Sequence, residues 1–296
     1  MEKKDRIDLF GGSSLLLISM VLGLNQVLVK LVNAGLQPVF SAGMRSLLAC
    51  VAVLLYALWR KKHLSVRDGT LKPGLVVGVL FALEFMLLFI ALDHTTVARV
   101  SIFFYTMPIW LSLGAHFFLP GDRITLPKAI GLVLATLGVI WAMADRGGGE
   151  GSIFGDMLSA IAAIFWAAIA LTARASRLNR ATPEMQMLYQ LGVSAVILLP
   201  VSLMFGPLIR DLQPWHLVVF AVMVFGVTSA GFLVWFWILS IYPPSKMAAF
   251  SFLSPVFGVF FGWLILGENI GLTIIGALIL VSIGIVLINR KPRFSA

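Results

Sequence analysis

Residues 99–131, RVSIFFYTMPIWLSLGAHFFLPGDRITLPKAIG, and residues 246–276, KMAAFSFLSPVFGVFFGWLILGENIGLTIIG, carry one pattern twice. A cation opens each copy (Arg99, Lys246) and a proline follows nine residues on (Pro108, Pro255). Next come a Gly-acid-x-Ile turn (Gly121-Asp122 and Ile124; Gly267-Glu268 and Ile270) and a last glycine (Gly131, Gly276). The offset is 147 at the cation and the proline, 146 at the turn and 145 at the last glycine. A drift of one residue per step is what two small indels inside a genuine repeat produce. Each copy reads as an apolar helix with a mid-length proline, a polar turn and a second apolar helix. Repeats of this kind in a hydrophobic chain point to a duplicated transporter, whose substrate site sits where the copies meet.

Composition supports a membrane reading. The 296 residues are 60% hydrophobic and 12% charged, against about 25% charged residues in soluble proteins. The net charge of +9 is not a nucleic-acid signature, because the cations sit between apolar segments, where topology requires them. Cys50, the sole cysteine, lies in an apolar run and reads as inert packing. Residues 1–8 are charged, and the apolar stretch after them has no small-x-small cleavage site, which predicts an uncleaved first helix.

Ten segments meet the length of about 20 apolar residues that a bilayer core demands: 12–31, 39–59, 74–92, 97–119, 127–144, 155–175, 183–206, 215–239, 245–266 and 271–289. Turn chemistry separates them at Leu36-Gln37-Pro38, Leu119-Pro120-Gly121, Gly147-Gly148-Gly149 and Tyr242-Pro243-Pro244. No segment alternates with period two, which excludes a barrel. The expected fold is an all-α integral membrane protein of ten transmembrane helices, as two inverted five-helix repeats. Residues 1–144 form the first repeat, 145–154 the inter-repeat loop and 155–296 the second. With the N-terminus inside, 17 of the 22 cations fall on cytoplasmic segments and three (Arg99, Arg146, Arg210) on outer ones, while Lys30 and Arg45 lie within helices. Five helices per half, an odd number, make the second half enter from the opposite face.

Several residues carry a functional and a bland reading side by side. Pro108 and Pro255 each free a backbone carbonyl that lipid cannot satisfy, so the kinks face a cavity or pack statically. Glu84 is an acid at mid-helix, where an ionised carboxylate costs about 2.5–3.5 kcal/mol on insertion scales. It faces a cavity as a substrate-amine or proton-coupling ligand, or forms a structural pair with Arg45 or Lys30. Asn25 and Gln26 offer substrate contacts or helix–helix hydrogen bonds. Arg99 and Lys246 hold equivalent places at opposite mouths, as interfacial anchors or as gate charges. Tyr105, Trp110 and Trp166 are candidate cavity walls. Thr228, Ser229, Ser251 and Ser254 line a polar cavity or bond back to their own helices. Gly74-x3-Gly78 and Gly258-x3-Gly262 read as packing faces. The four histidines are scattered, no metal-ligand spacing or phosphate loop occurs, and no cofactor is expected.

The chain resembles the drug/metabolite transporter superfamily, in its ten-helix form built from two EamA-like repeats. Arg45, residues 98–138 with Pro108, Ala248-Ala249, Leu253-Ser254-Pro255-Val256, Leu266-Gly267-Glu268 and Ile275-Gly276-Ala277-Leu278-Ile279 carry the resemblance. Asp122 stands where the family usually has glutamate, and Leu22-Gly23 replaces the usual tryptophan-glycine pair of the first helix. The resemblance implies secondary transport, commonly export of amino acids or other small metabolites across the bacterial inner membrane. It places a central cavity between the first, third, fourth, sixth, eighth and ninth segments. The expected function is export of small amphipathic metabolites, amino acids first and aromatic or other apolar ones especially, by alternating access. Protons are a candidate coupling ion, the expected partners are the substrate and the bilayer without nucleic acid, and the assembly is a monomer or homodimer. The alternative, exchange of phosphorylated sugars or nucleotide-sugars, calls for converging midplane cations. A membrane-embedded enzyme would show clustered acids or histidines near one interface, and a lipid scramblase is the remaining alternative of a different class.

Overall fold

Helices start where the sequence supplies prolines and caps. Pro38, Pro183 and Pro214 occupy first-turn positions, where a missing N–H is harmless. Asp8 accepts from the Gly11 N–H at 2.8 Å, and Thr182 from the Met185 N–H at 3.3 Å. The computed structural model describes residues 8–119, 123–144, 151–231, 234, 237–238, 241–242, 250 and 253–289. Its elements are α1 (Leu9–Gly35), α2 (Pro38–Trp59), α3 (Leu71–His94), α4 (Val97–Phe104), α5 (Met107–Phe118), α6 (Leu126–Ala144) and α7 (Ile153–Ala175). A 3₁₀ turn (Arg177–Arg180) leads to α8 (Pro183–Ser202) and α9 (Pro214–Ala221), which runs into a π-helical stretch (Val222–Gly231). Two shorter apolar helices, α10 (Leu253–Leu266) and α11 (Leu272–Ile288), follow. Eight spans are long and apolar enough to cross a bilayer, with α4 and α5 counted as one. With α10 and α11 the protein is an all-α, multi-pass bundle of eight to ten apolar helices.

Two segments differ from continuous α-helix. The fourth breaks at Tyr105 and Thr106. Pro108 has no N–H, so the chain restarts with Pro108 in the first turn of α5 instead of kinking a single helix. The Thr106 hydroxyl bonds the Phe103 carbonyl at 2.6 Å, and the Ile109 N–H bonds the Thr106 carbonyl at 2.8 Å, which closes both sides of the break. The eighth widens to π geometry, and Thr228 and Ser229 donate to carbonyls five residues back, Met223 at 3.0 Å and Val224 at 2.9 Å.

Connections gather at two ends. At one, which we call the Thr95 end, Leu36 bridges Ile209, the Gln37 N–H bonds the Leu208 carbonyl at 3.0 Å, and Arg210 is bidentate to Asp93 at 2.8 and 2.9 Å. At the other, Lys62 pairs with Glu184 at 2.9 Å and the Thr70 and Tyr189 hydroxyls meet at 3.1 Å. In the α2–α3 loop near this second end, hydrogen bonds from the Thr70 hydroxyl and N–H hold the Asp68 carboxyl below the ordinary carboxylate range. The principal helix contacts are α6 with α11, α3 with α7 and α8, α2 with α8, α1 with α10, and α4 with α10 and α7.

Glycines permit the closest crossings. A Cβ on Gly131 would lie 2.7 Å from the Gly284 carbonyl, and one on Gly284 2.6 Å from that of Gly131, so α6 and α11 touch backbone to backbone. Gly74 and Gly78 seat Tyr189 and Val193 of α8, and Gly23 faces the backbone of Gly258. A Cβ on Gly258 would sit 2.1 Å from the Ser101 hydroxyl. Gly258→Val is expected to lower stability by about 1–3 kcal/mol through overpacking, read as a lower melting temperature in detergent; an unchanged value would mean that α4 and α10 do not approach this tightly.

Candidate functional site

α4 is the most enclosed element: all eight of its residues are buried. A helix that starts inside protein must find acceptors for its first amide hydrogens. The Thr96 hydroxyl takes the N–H of Arg99 at 3.2 Å. Glu268, from the α10–α11 turn, takes the other two: Oε1 accepts from Val97 at 2.6 Å and Oε2 from Ala98 at 2.9 Å. The carboxylate also sits at the positive end of the helix dipole. Gly267, at φ +67°, reverses the chain after α10, and a Cβ on Gly262 would lie 2.7 Å from Glu268 Oε2. These two glycines bring the carboxylate to α4.

Charges complete the junction. Lys30 donates to the Thr95 carbonyl at 2.7 Å, closing the C-terminus of α3, and pairs with Glu268 at 3.6 Å. Arg99 binds Asp156 of α7 through Nε, at 3.0 and 3.1 Å, and through Nη2. The Thr95 hydroxyl donates to the same Asp156 at 3.1 Å. Glu268 and Asp156, from the second half of the chain, thus hold the α3–α4 junction of the first.

Below this junction lies a polar belt. Ser101 of α4 donates to Gln26 of α1 at 2.7 Å. Tyr105, at the α4–α5 break, is hydrogen bonded to Ser254 of α10. Pro108 and Pro255 are both buried, and Asn25 Oδ1 has no partner among the described residues. Arg45 and Glu84 are buried at 2% and 1% exposure. They interact electrostatically but form no ion pair, and Arg45 lies over the rings of Phe85 and Phe89.

The structure sorts the sequence candidates. Gln26, Tyr105 and Ser254 come together in the belt, and Arg45 of α2 and Glu84 of α3 are close enough to interact electrostatically. Lys30 belongs to Glu268 and Thr95, which leaves Arg45 as the cation near Glu84. Arg99 is no interfacial anchor, since Asp156 holds it inside the protein. Trp110 is 38% exposed, and Trp166 packs partly buried against the core. Thr228 turns back on its own helix. Lys246 and Ser251 lie outside the described residues. Sequence reasoning passed over two buried acids, Asp156 and Glu268. Asp156 looks like an ordinary first-turn acid, whereas Glu268 was visible as the acid of the repeated turn. Among the described residues no cluster of His, Cys, Asp and Glu could hold a metal ion.

Comparison with known proteins gives one consistent result. The model of the EamA-like transporter family matches residues 9–144 and 153–290. An uncharacterized transporter of Bacillus subtilis (strain 168), YoaV, is 26% identical over 273 residues, covering 90% of this chain and 92% of its own. A second from the same organism, YvbV, is 27% identical over 288 residues, covering 95% and 92%. A probable amino-acid metabolite efflux pump of Escherichia coli (strain K12) is 26% identical over 300 residues, covering 95% and 94%. A solved crystal structure superposes with a TM-score of 0.64 at 17% identity, over 93% of this chain and 96% of that one, a likeness of fold.

Removing the Glu268 carboxylate strands two buried amide hydrogens, while Lys30 keeps the Thr95 carbonyl. Glu268→Ala is expected to destabilise by about 1–3 kcal/mol, the cost of leaving buried donors without acceptors, and Glu268→Gln by less, because its amide oxygen still accepts. Thermal unfolding in detergent tests this; parental stability in the alanine variant would show that the contact contributes nothing.

Proposed function

Because the chain belongs to the EamA-like transporter family, we propose that it is a secondary exporter of small amphipathic metabolites, amino acids foremost. Family membership makes it a transporter of small molecules by alternating access, not an enzyme. The observation that carries the finer reading is the binding of the α4 N-terminus by Glu268 and Asp156. This inter-half contact closes the Thr95 end above a polar belt, and export requires it to part. Likeness over nearly full length to a probable amino-acid metabolite efflux pump supports the substrate class. Phosphorylated sugars are disfavoured, because they call for several converging cations, and Lys30, Arg99 and Arg210 each already hold an acid, which leaves Arg45 as the one buried cation without an ion pair among the described residues.

The two halves act as inverted five-helix repeats in this reading. Several packing relations recur with the halves exchanged: α1 on α10 answers α7 on α4 and α5, and α3 on α8 answers α2 on the π-helical stretch. The family model also matches once per half. The cation excess assigns the second end and both termini to the cytoplasm of a bacterial inner membrane, and protons are the proposed coupling ion.

In proteoliposomes the purified protein is expected to catalyse leucine or phenylalanine counterflow, with Pro108→Ala several-fold slower at equal protein yield. Counterflow absent for a broad panel of amino acids would sink the substrate class. For orientation, single cysteines at Pro207 and Asp211 in a Cys50→Ser background should react with an impermeant maleimide added outside intact cells. Those at His63 and Arg67 should react only after permeabilisation; the reverse pattern would invert the topology.

A further inference from the structure

Every buried charge at the Thr95 end has its partner, whereas Arg45 and Glu84 do not. The Arg45 guanidinium carbon lies 4.0 Å from the Phe85 ring centroid and 4.8 Å from that of Phe89. Rings of α3 therefore fix the guanidinium and leave its rim to hydrogen bonding. Nε and Nη2, which together form one edge of the fork, have no hydrogen-bond partner among the described residues. Glu84 Oε2, on the same helix as the two rings, has none either. Arg99 supplies the comparison within the molecule: its Nε and Nη2 are the atoms that engage the Asp156 carboxylate. The same edge of Arg45 lacks an acid, although Glu84 is near enough to interact electrostatically.

We propose that Arg45 and Glu84 form a binding site for a zwitterion, with its carboxylate on the Arg45 Nε–Nη2 edge and its ammonium on Glu84 Oε2. The apolar substituent lies beside Phe85. This deepens the amino-acid export reading and rests on it. The side-on fork takes a planar carboxylate bidentately, the strongest mode open to arginine. Only a ligand with both charges compensates both residues. A simple anion leaves Glu84 uncompensated, a simple amine leaves Arg45, and a neutral solute leaves both, each unfavourable in a buried site. The site is thus a filter for amino and carboxyl groups together, with tolerance of varied apolar side chains.

The test compares leucine with leucinamide, which lacks the carboxylate, and N-acetylleucine, which lacks the ammonium, as competitors of radiolabelled leucine counterflow in wild-type proteoliposomes. Leucine is expected to compete at least tenfold better than either. Arg45→Gln should lose the preference over leucinamide, and Glu84→Gln the preference over N-acetylleucine. Arg45→Lys and Glu84→Asp keep the charges and guard against misfolding; each should weaken leucine about tenfold with little change in melting temperature. Equal competition by the three compounds in the wild type overturns the proposal. So does undiminished selectivity in the folded variants, which would make Arg45 and Glu84 structural charges. Counterflow of other metabolites without leucine counterflow overturns the zwitterion site but leaves the transporter standing, whereas no counterflow of any metabolite removes the transport reading as well.

Discussion

The carboxylate of Glu268, carried on the turn after α10, caps the start of α4. Its two oxygens take the N–H groups of Val97 and Ala98, and Thr96 takes that of Arg99, so none of the first three amides of α4 is left without an acceptor. In an enclosed setting this is a requirement, because neither lipid nor protein interior substitutes for water. The position of α4 follows from it, and with α4 the reach of Arg99 to Asp156, of Ser101 to Gln26, and the placing of the Tyr105–Thr106 break against Ser254. A turn in the second half of the chain thereby sets the geometry of a helix in the first.

Glycine makes the arrangement sterically feasible. Without a hydrophobic drive between helices in lipid, association depends on close packing, and small residues bring backbones into contact. Gly262 clears the space for the Glu268 carboxylate, Gly258 that for Ser101, and Gly131 and Gly284 bring α6 onto α11. The same positions leave no room for these crossings to close further.

Two kinds of buried charge result. At the Thr95 end Lys30 is paired with Glu268 and Arg99 with Asp156, and both pairs tie the two halves together. Deeper in the bundle, Arg45 and Glu84 retain hydrogen-bonding capacity that none of the described residues meets. A transporter needs both kinds: satisfied contacts that define a closed end and can exchange for water when it opens, and unsatisfied groups that a cargo completes. The broken α4–α5 span adjoins the satisfied set and carries the polar belt, a place where irregular backbone is tolerated because protein surrounds it.

The apolar helical segments and their approximate limits were legible in the sequence, because hydrophobic length and turn residues are local properties. So was the membrane setting, and so were Glu84 and Arg45 as charges out of place in apolar helices. The Gly-acid turn was visible as a recurring mark, but its meaning was not. The contact of Glu268 with Val97 spans 171 residues of chain, and no periodicity reports which helix start a distant carboxylate will serve. Likewise Arg99 looked interfacial until α7 brought Asp156 beside it. Local chemistry determined which segments became helices and which residues needed partners. Tertiary structure alone decided which partners they received, because charge satisfaction in a membrane protein depends on juxtaposition across the bundle.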